Sequence, residues 1–430
     1  MTEPLNIAIA GLGTVGAGTV RLLVDQAALL ATRSRREIRV TSVSARDRGR
    51  NRGIDISNYQ WFDDAAQMAA EAEADVVVEL IGGSDGVARA VCDAAIAAGR
   101  HVVTANKALL AEAGTEIARA AEGAGVSLGY EAAVAGGIPV IKALREGLAG
   151  NRIERLHGIL NGTCNYILTA MRDTGREFDD VLAEAQELGY AEVDPAFDVD
   201  GVDTAHKLAI LTSVAFGTEV DFKSVHIEGI RNIATADIEY AEELGYRIKL
   251  LGIAERNEHG IHQRVHPAMV STAAPIAAVE GVFNAVVADG DFVGTTVFEG
   301  RGAGAGPTAS AVVSDIVDIA CGRLTPAFGV PASALAKPEA APMESHRGMY
   351  YVRLMVLDQP GVFADVAAAL RDHEISIEAA IQRTRSEAEA VPVVLTTHDV
   401  QESAMQGALD EIGGFDAVQE PPHMIRIEKF

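Results

Sequence analysis

From residue 5 to about 130, short β-branched runs alternate with alanine-rich stretches in which apolar residues recur every three or four positions. This rhythm predicts a parallel sheet with helices on both faces. Strands are expected at 6–10, 38–44, 75–80, 101–104 and 126–130, and a helix at 87–98 with Gly99 just past its end. Between about 139 and 321 longer helices (179–188, 203–216) precede strands (247–255, 261–270, 283–288), an α+β pattern. Residues 323–347 carry Pro326, Pro331, Pro338 and Pro342 with few large apolar side chains, which excludes one helix or strand and marks a linker. From 349 onward the order is strand, helix, strand, strand, helix, strand (350–357, 362–373, 375–383, 391–397, 403–412, 424–427), the split βαβ or ferredoxin-like unit.

With 430 residues, 48% hydrophobic and 23% charged, the chain has the composition of a packed globule of about three domains. Its net charge of −25 repels phosphate backbones and anionic lipid surfaces, so neither nucleic acid nor membrane is expected as a partner. No apolar stretch is long enough to span a bilayer, and Met1 to Pro4 lead straight into a strand without a basic leader, which points to a soluble, cytoplasmic protein. Cys92, Cys164 and Cys321 are an odd set without metal-like spacing in apolar helical patterns, expected as buried reduced thiols. The acidity spares the first third because of Arg33, Arg35, Arg36, Arg39, Arg46, Arg48, Arg50 and Arg52.

Gly11-Leu12-Gly13-Thr14-Val15-Gly16 directly follows the first strand and opens a helical pattern, the strand-turn-helix context of a dinucleotide site. Gly11 permits the turn, Gly13 lets backbone approach a pyrophosphate, Gly16 allows close helix-sheet packing, and the helix N-terminus holds the anion. After the second strand, where an NAD site places an acidic residue, the chain has Ser44-Ala45-Arg46. Arg46 suits a 2′-phosphate and favours NADP; Asp47 beside it leaves NAD open, and an ordinary solvated arginine loop is the alternative. Thr104-Ala105-Asn106-Lys107 follows the fourth strand at the sheet edge where ligands of such folds bind, though a lysine at a helix start is, taken alone, more often a surface residue. Asp203 and Lys207 are four apart on an apolar helix and can touch. Such a lysine is positioned to give a proton to a carbonyl oxygen, or the two form a plain exposed ion pair. The acidic run Glu192 to Asp203 suggests a rim for a substrate ammonium group.

Gly11 to Gly16, Asn106-Lys107, Asn161-Gly162-Thr163-Cys164-Asn165-Tyr166, the acidic stretch ending at Lys207, and Gly302-Ala303-Gly304-Ala305-Gly306-Pro307-Thr308 together resemble homoserine dehydrogenase over about residues 5–321. The tail, with Asp358-Gln359-Pro360-Gly361-Val362-Phe363, resembles an ACT regulatory domain. The resemblance implies an α/β architecture of three parts. These are a Rossmann-type dinucleotide-binding unit (1–138), a catalytic and dimerisation unit (139–322, with a helix at 306–321 packing back on the first) and, after the linker 323–347, an ACT domain (348–430). It implies NAD(P)H-dependent interconversion of L-aspartate 4-semialdehyde and L-homoserine, in threonine and methionine biosynthesis, with feedback by L-threonine.

By position, the resemblance makes Lys207 the proton donor, Asp203 its orienting partner and Lys107 the second active-site lysine. Glu192 and Asp198 would hold the substrate ammonium, with Tyr190, Gly162 and Thr163 lining the pocket. The cofactor would meet Gly11, Gly13, Thr14, Val15, Gly16, Arg46, Thr104, Asn106, Lys107, Gly304 and Gly306. Glu131, Val134, Gly136 and Ile138 resemble a sodium-type site built mainly of backbone carbonyls, with a glycine-rich hinge as the alternative. Asp358, Gly361 and Val362 would receive the effector, and a homodimer or homotetramer is expected. Two rivals remain at this point. One is a non-catalytic sensor of dinucleotide and amino acid; the other is an enzyme like aspartate-semialdehyde dehydrogenase, which needs a nucleophilic cysteine and for which Cys164 is the candidate.

Overall fold

The computed structural model describes residues 3–383 and 390–430, so Met1 and Thr2 of the amino-terminal lead-in lie outside the described residues. Six parallel strands, β1 (Leu5–Ala10), β2 (Ile38–Ser44), β3 (Gln60–Phe62), β4 (Val76–Glu79), β5 (His101–Thr104) and β6 (Leu128–Gly129), form the first sheet in the order β3-β2-β1-β4-β5-β6. The order reverses between β1 and β4, which opens the crevice where ligands of doubly wound sheets bind. Alternation along β1 divides the core. Ile7 and Ile9 face α1 (Thr14–Asp25) and α2 (Ala27–Ser34), whereas Ala8 and Ala10 face α3 (Ala65–Glu71), α4 (Val87–Ala97) and α5 (Lys107–Gly123). At the end of α4, Gly99 takes a φ of 71°, so its own N–H and that of Arg100 turn back to the carbonyls of Ile96 and Ala95.

The central unit comprises α6 (Val140–Lys142), β7 (Ile153–Ile159), α7 (Gly162–Thr174), α8 (Phe178–Glu187), α9 (Ala196–Val199), α10 (Val202–Phe216), β8 (His226–Ile227), α11 (Thr235–Glu243), β9 (Tyr246–Asn257), β10 (Gly260–Ser271), β11 (Phe283–Gly290), β12 (Gly294–Arg301) and α12 (Ala305–Ala320). The buried positions of α10 run all round the helix, from Asp203 to Val214, so it is a core element that carries its two charged residues inward. Helix α12 returns to the first sheet, where Val312, Val313 and Ile316 join the core under β1. Gly18 makes this approach feasible: a Cβ there would lie 2.9 Å from the Ala305 carbonyl oxygen.

The last part has β13 (Arg347–Leu357), α13 (Val362–Asp372), β14 (Ile377–Ile381), β15 (Ala390–Thr397), β16 (Val400–Gln401), α14 (Glu402–Gly413) and β17 (His423–Glu428). Its strands do not form a separate sheet. β17 pairs in parallel with β10, producing one sheet in the order β12-β11-β7-β9-β10-β17-β13-β15-β14. Along β13, Tyr350, Val352 and Leu354 pack on α13 and α14 while Met349 and Tyr351 pack into the central core, so both faces of this strand are buried.

Residues 323–347 form a strap fastened to the central unit. Phe328, Ala332 and Leu335 are buried, the Tyr130 hydroxyl donates to the Ala327 carbonyl at 2.6 Å, the Ile261 N–H donates to the Glu339 carbonyl, and the Ala341 N–H donates to the Ile261 carbonyl. Cys92 and Cys164 are buried as expected, but Cys321 is exposed: it follows the last turn of α12, where apolar periodicity no longer fixes which way a side chain faces. No helix among the described residues is long and apolar enough to cross a membrane.

Candidate active site

The glycine turn sits at the carboxyl edge of β1. Gly11 has a φ of 97°, and a Cβ on it would meet the Leu80 carbonyl oxygen at 2.5 Å; one on Gly16 would meet the Gly11 carbonyl oxygen at 2.0 Å. These two glycines close the turn. Gly13, by contrast, has no atom within 4 Å of where a Cβ would stand, and together with exposed Thr14 it leaves the first turn of α1 open to an anion. Val15 lies half-buried in the same turn, and Arg46 is exposed in the loop after β2.

Glu79, fully buried at the end of β4, organises the adjacent loop. Its carboxylate accepts the N–H of Ile81 at 2.6 Å and of Gly82 at 3.2 Å, and the Thr104 hydroxyl at 2.6 Å. Thr104 in turn accepts the Asn106 N–H, and the Asn106 side chain caps α5 through Leu109 N–H while donating to the Gly83 carbonyl at 2.7 Å. The cap sets Lys107 at the first position of α5, pointing across the crevice. Gly304 (φ 117°) starts α12, and Gly306 stands exposed in open space in its first turn.

Across the crevice Asp203 lies between two ammonium groups. Its Oδ2 is 2.7 Å from Lys207 Nζ and its Oδ1 is 2.9 Å from Lys107 Nζ. Lys207 also donates to the Leu160 carbonyl at 2.6 Å. Asn161 caps α7 through Cys164 N–H and donates to both Asp198 Oδ1 and Asp203 Oδ2 at 2.8 Å. Burial alone would push the Asp203 carboxyl up, but Lys207 and Lys107 outweigh it and hold the group well below the ordinary carboxylate range. Lys207 goes the other way: burial and the Lys107 charge lower it against the pull of Asp203. Burial also lowers Lys107, yet Asp203, Asp198 and Glu192 raise it overall. Asp198 is raised, first by burial and then by Asp203.

The rest of the expected pocket surrounds these groups. The Thr163 hydroxyl donates to the Tyr190 carbonyl at 2.7 Å, and the Tyr190 ring meets Tyr166 edge-on at 4.9 Å. Gly162 lies so close to the Val282 carbonyl that a Cβ would stand 2.8 Å from its oxygen. Glu192 is exposed at the rim, with its backbone carbonyl held by Gln186. Sequence reasoning named none of Glu79, Asn161 or the Leu160 carbonyl as site residues. Asn161 lay inside a quoted motif and had a signal, whereas Glu79 and a backbone carbonyl had none. Phe197, 5.7 Å from Lys107 Nζ over its ring face, was also unassigned.

Comparison with known proteins agrees with this geometry. The family profile described as homoserine dehydrogenase matches residues 139–317, the one described as homoserine dehydrogenase, NAD binding domain, matches 11–131, and an ACT domain profile matches 350–414. Homoserine dehydrogenases of Pseudomonas aeruginosa and Neisseria gonorrhoeae are 46% and 44% identical, each alignment covering 99% of both chains. The chain belongs to the homoserine dehydrogenase family. A homoserine dehydrogenase from Thiobacillus denitrificans superposes with a TM-score of 0.93 at 47% identity, covering 99% of this chain and 98% of that one. A hyperthermophilic archaeal homoserine dehydrogenase in complex with NADPH aligns over 74% of this chain and 97% of its own, with a TM-score of 0.63 and 27% identity. As a homoserine dehydrogenase the chain is an NAD(P)-dependent oxidoreductase with a Rossmann unit and a carboxyl-terminal ACT domain.

Two sets of expected residues remain in this homoserine dehydrogenase, one in the segment 131–138 and one in the ACT domain. Glu131 is buried with each carboxylate oxygen accepting one N–H at 2.9 Å, from Ile141 and from Lys142; burial and Asp315 push its pKa up to about 7. Beside it the segment Val134 to Ile138 turns through left-handed Ala135 (φ 54°) and Gly136 (φ 47°), and a Cβ on Gly136 would meet the Gly302 carbonyl oxygen at 2.3 Å. A buried carboxylate and backbone carbonyls are the donor types a hard cation takes, though the Ile138 carbonyl already accepts the Val140 N–H at 2.8 Å. In the ACT domain, Asp358 and Val362 line a small hollow with Leu354, Phe363 and Gln382, and Gly361 (φ 101°) starts α13 at its edge. Cys164 does not fit a nucleophile: it is buried, its thiol donates to the Asp198 carbonyl at 3.2 Å, and burial pushes its pKa well above the ordinary value.

Proposed function

We propose that this homoserine dehydrogenase reduces L-aspartate 4-semialdehyde to L-homoserine at the crevice between Lys107 and Lys207, with NADP as the preferred dinucleotide. The observation that carries the reading is a continuous line of contacts. It runs from the glycine turn through Leu80 and Gly83 to Asn106 and Lys107, and from there through Asp203 to Lys207. A dinucleotide on the turn and a small carbonyl compound at the lysines would therefore meet in one cleft.

The nicotinamide supplies the hydride. Lys207, fastened by Asp203 and the Leu160 carbonyl, has one N–H left for the aldehyde oxygen and gives it the proton as the alkoxide develops. In the oxidising direction the same amine takes the proton back, so that direction improves as pH rises. Lys107 shares the Asp203 charge and fixes the carboxylate between the two amines. Glu192 and Asp198 hold the substrate ammonium, and Tyr190, Gly162 and Thr163 border it. Thr104, Asn106, Gly304 and Gly306 flank the cofactor, with Arg46 toward the 2′-phosphate. A sodium-type ion at Glu131, Val134, Gly136 and Ile138 would brace the loop against α12. L-Threonine would act at Asp358, Gly361 and Val362, in a cytoplasmic homodimer or homotetramer.

The test is oxidation of NADPH and of NADH with L-aspartate 4-semialdehyde, with and without L-threonine. Turnover favouring NADPH and suppressed by threonine is expected. Folded protein that turns over neither cofactor would refute the assigned roles and favour a sensor.

A further inference from the structure

The arginine run contains one member whose guanidinium is already committed. Arg52 Nε donates to the Leu12 carbonyl at 3.1 Å, one terminal nitrogen donates to the Arg50 carbonyl at 2.8 Å, and the other to the Asp47 carbonyl. Leu12 lies inside the glycine turn, whereas Asp47 and Arg50 lie in the loop after β2. One side chain therefore ties together the two backbone segments between which the adenosine end of a dinucleotide would lie. Its neighbours keep their heads outward: Arg46 and Arg50 are exposed, and the Arg48 guanidinium lies 5.8 Å from the centre of the Trp61 ring.

The three carbonyl contacts decide what Arg52 can do. Three backbone acceptors, one on each nitrogen, take three of the five N–H donors and fix the planar fork between the two segments, a geometry that a lysine ammonium on its flexible stem does not reproduce. The open space at Gly13 beside Leu12 leaves room for the pyrophosphate of a dinucleotide. We infer that Arg52 is a positioning residue for cofactor choice, clamping the loop 45–52 onto the glycine turn so that Arg46 and Arg48 face the 2′-phosphate. The inference rests on the NADP reading above and assigns Arg52 no contact with the cofactor.

The chain has one tryptophan, Trp61, next to Arg48, so quenching of its emission reports dinucleotide binding without turnover. Full-length protein and the variants Arg52→Met and Arg52→Lys are titrated with NADPH and with NADH. Both variants should bind NADPH about tenfold more weakly, the worth of one charge-assisted contact, and NADH within about twofold of the parent. Lysine retains the charge, so Arg52→Lys binding NADPH like the parent would overturn the clamp and make Arg52 a direct phosphate contact. Equal loss of NADPH and NADH would overturn it as well, reducing Arg52 to a general staple.

Placing Arg52→Met in an Arg46→Ala, Arg48→Ala background gives the decisive comparison. If Arg52 acts through those side chains, its NADPH-specific effect should shrink toward none; an undiminished effect refutes the positioning role. The parent protein separates the two layers of the argument. A parent that binds NADPH no better than NADH removes the NADP reading and this inference with it. A parent that prefers NADPH, with variants that keep that preference, removes the clamp alone.

Discussion

Replacing Asp203 by asparagine keeps the shape of the side chain and removes the charge shared by two ammonium groups. Both lie within 2.9 Å of its carboxylate, and the residue is 3% exposed. At an effective dielectric of about 20, unit charges about 3 Å apart attract by about 5 kcal/mol before desolvation is subtracted. Measured losses on breaking one side of a buried pair are about 3–5 kcal/mol. Without the carboxylate the two amines cannot both stay protonated. Lys207, already lowered by burial and by Lys107, gives up its proton first. Reduction needs that proton, so kcat should fall by about 10²–10⁴-fold, the usual worth of a positioned acid. What activity remains should lose its alkaline limb at a lower pH than the parent, because the Lys207 pKa drops further. The assay is NADPH absorbance decay across neutral to alkaline pH, with binding by Trp61 quenching as the check that the fold and cofactor site persist. A variant within about threefold of the parent kcat, with an unmoved alkaline limb, would refute the two-lysine centre.

Lys207→Met should abolish hydride transfer while leaving NADPH affinity nearly intact; retained turnover would remove the acid from this position. Asp358→Ala should relieve inhibition by L-threonine without changing the uninhibited rate, and unchanged inhibition would move the effector elsewhere. If the loop at Glu131 holds a monovalent cation, Tm should be higher in sodium chloride than in tetramethylammonium chloride of equal ionic strength, a difference that Glu131→Gln should erase. Equal Tm in both salts would leave the loop as a hinge. Arg426→Ala removes the arginine shared by Glu402 and Glu228, leaving them Tyr350 and His226, at a place where the Arg426 side chain is 3% exposed. It should cost about 3–5 kcal/mol in urea unfolding, and a loss below about 1 kcal/mol would mean that water reaches the junction.

The junction at Arg426 also changes how regulation has to be tested. Cutting the chain at residue 348 would remove β17 from the edge of β10 and leave Arg264 without Glu428, its 3.0 Å partner. The catalytic part would then keep Arg264 on Glu255 alone, at 2.8 Å, and expose the edge of β10, so substitutions in the hollow are cleaner probes than truncation. Nothing in the sequence signalled this. The pattern of residues 349–430 was that of a self-sufficient unit, and only the pairing of Ala268, Met269 and Val270 with Arg426, Ile427 and Glu428 joined it to the catalytic sheet.

What could be read locally was read well. β2 and β5 begin and end where alternation placed them, and α10 contains the expected helix. Hydrophobic periodicity is a record of burial, and it works where an element has one clear buried face or is buried throughout. It failed for β12, an edge strand with largely exposed side chains, and for the three-residue β3, which is too short to show a period. It also could not show that the proline-rich strap would be fastened down, because its anchors are single side chains and isolated backbone bonds.

The same division holds at the site. A glycine turn after a strand and an Asp-Lys pair one helical turn apart are written in adjacent residues, so the dinucleotide fold and the pairing of Asp203 with Lys207 were determined by the sequence alone. Lys107 joins Asp203 across 96 positions of chain, Glu79 supports the loop beside the glycine turn from inside the sheet, and Arg52 spans 40 positions to reach Leu12. Those partners meet only because the sheet, the α5 cap and α10 fix their distances. Short-range geometry is set by bond lengths and helical pitch, whereas which distant charge ends up beside which buried carboxylate is decided by how the whole core packs.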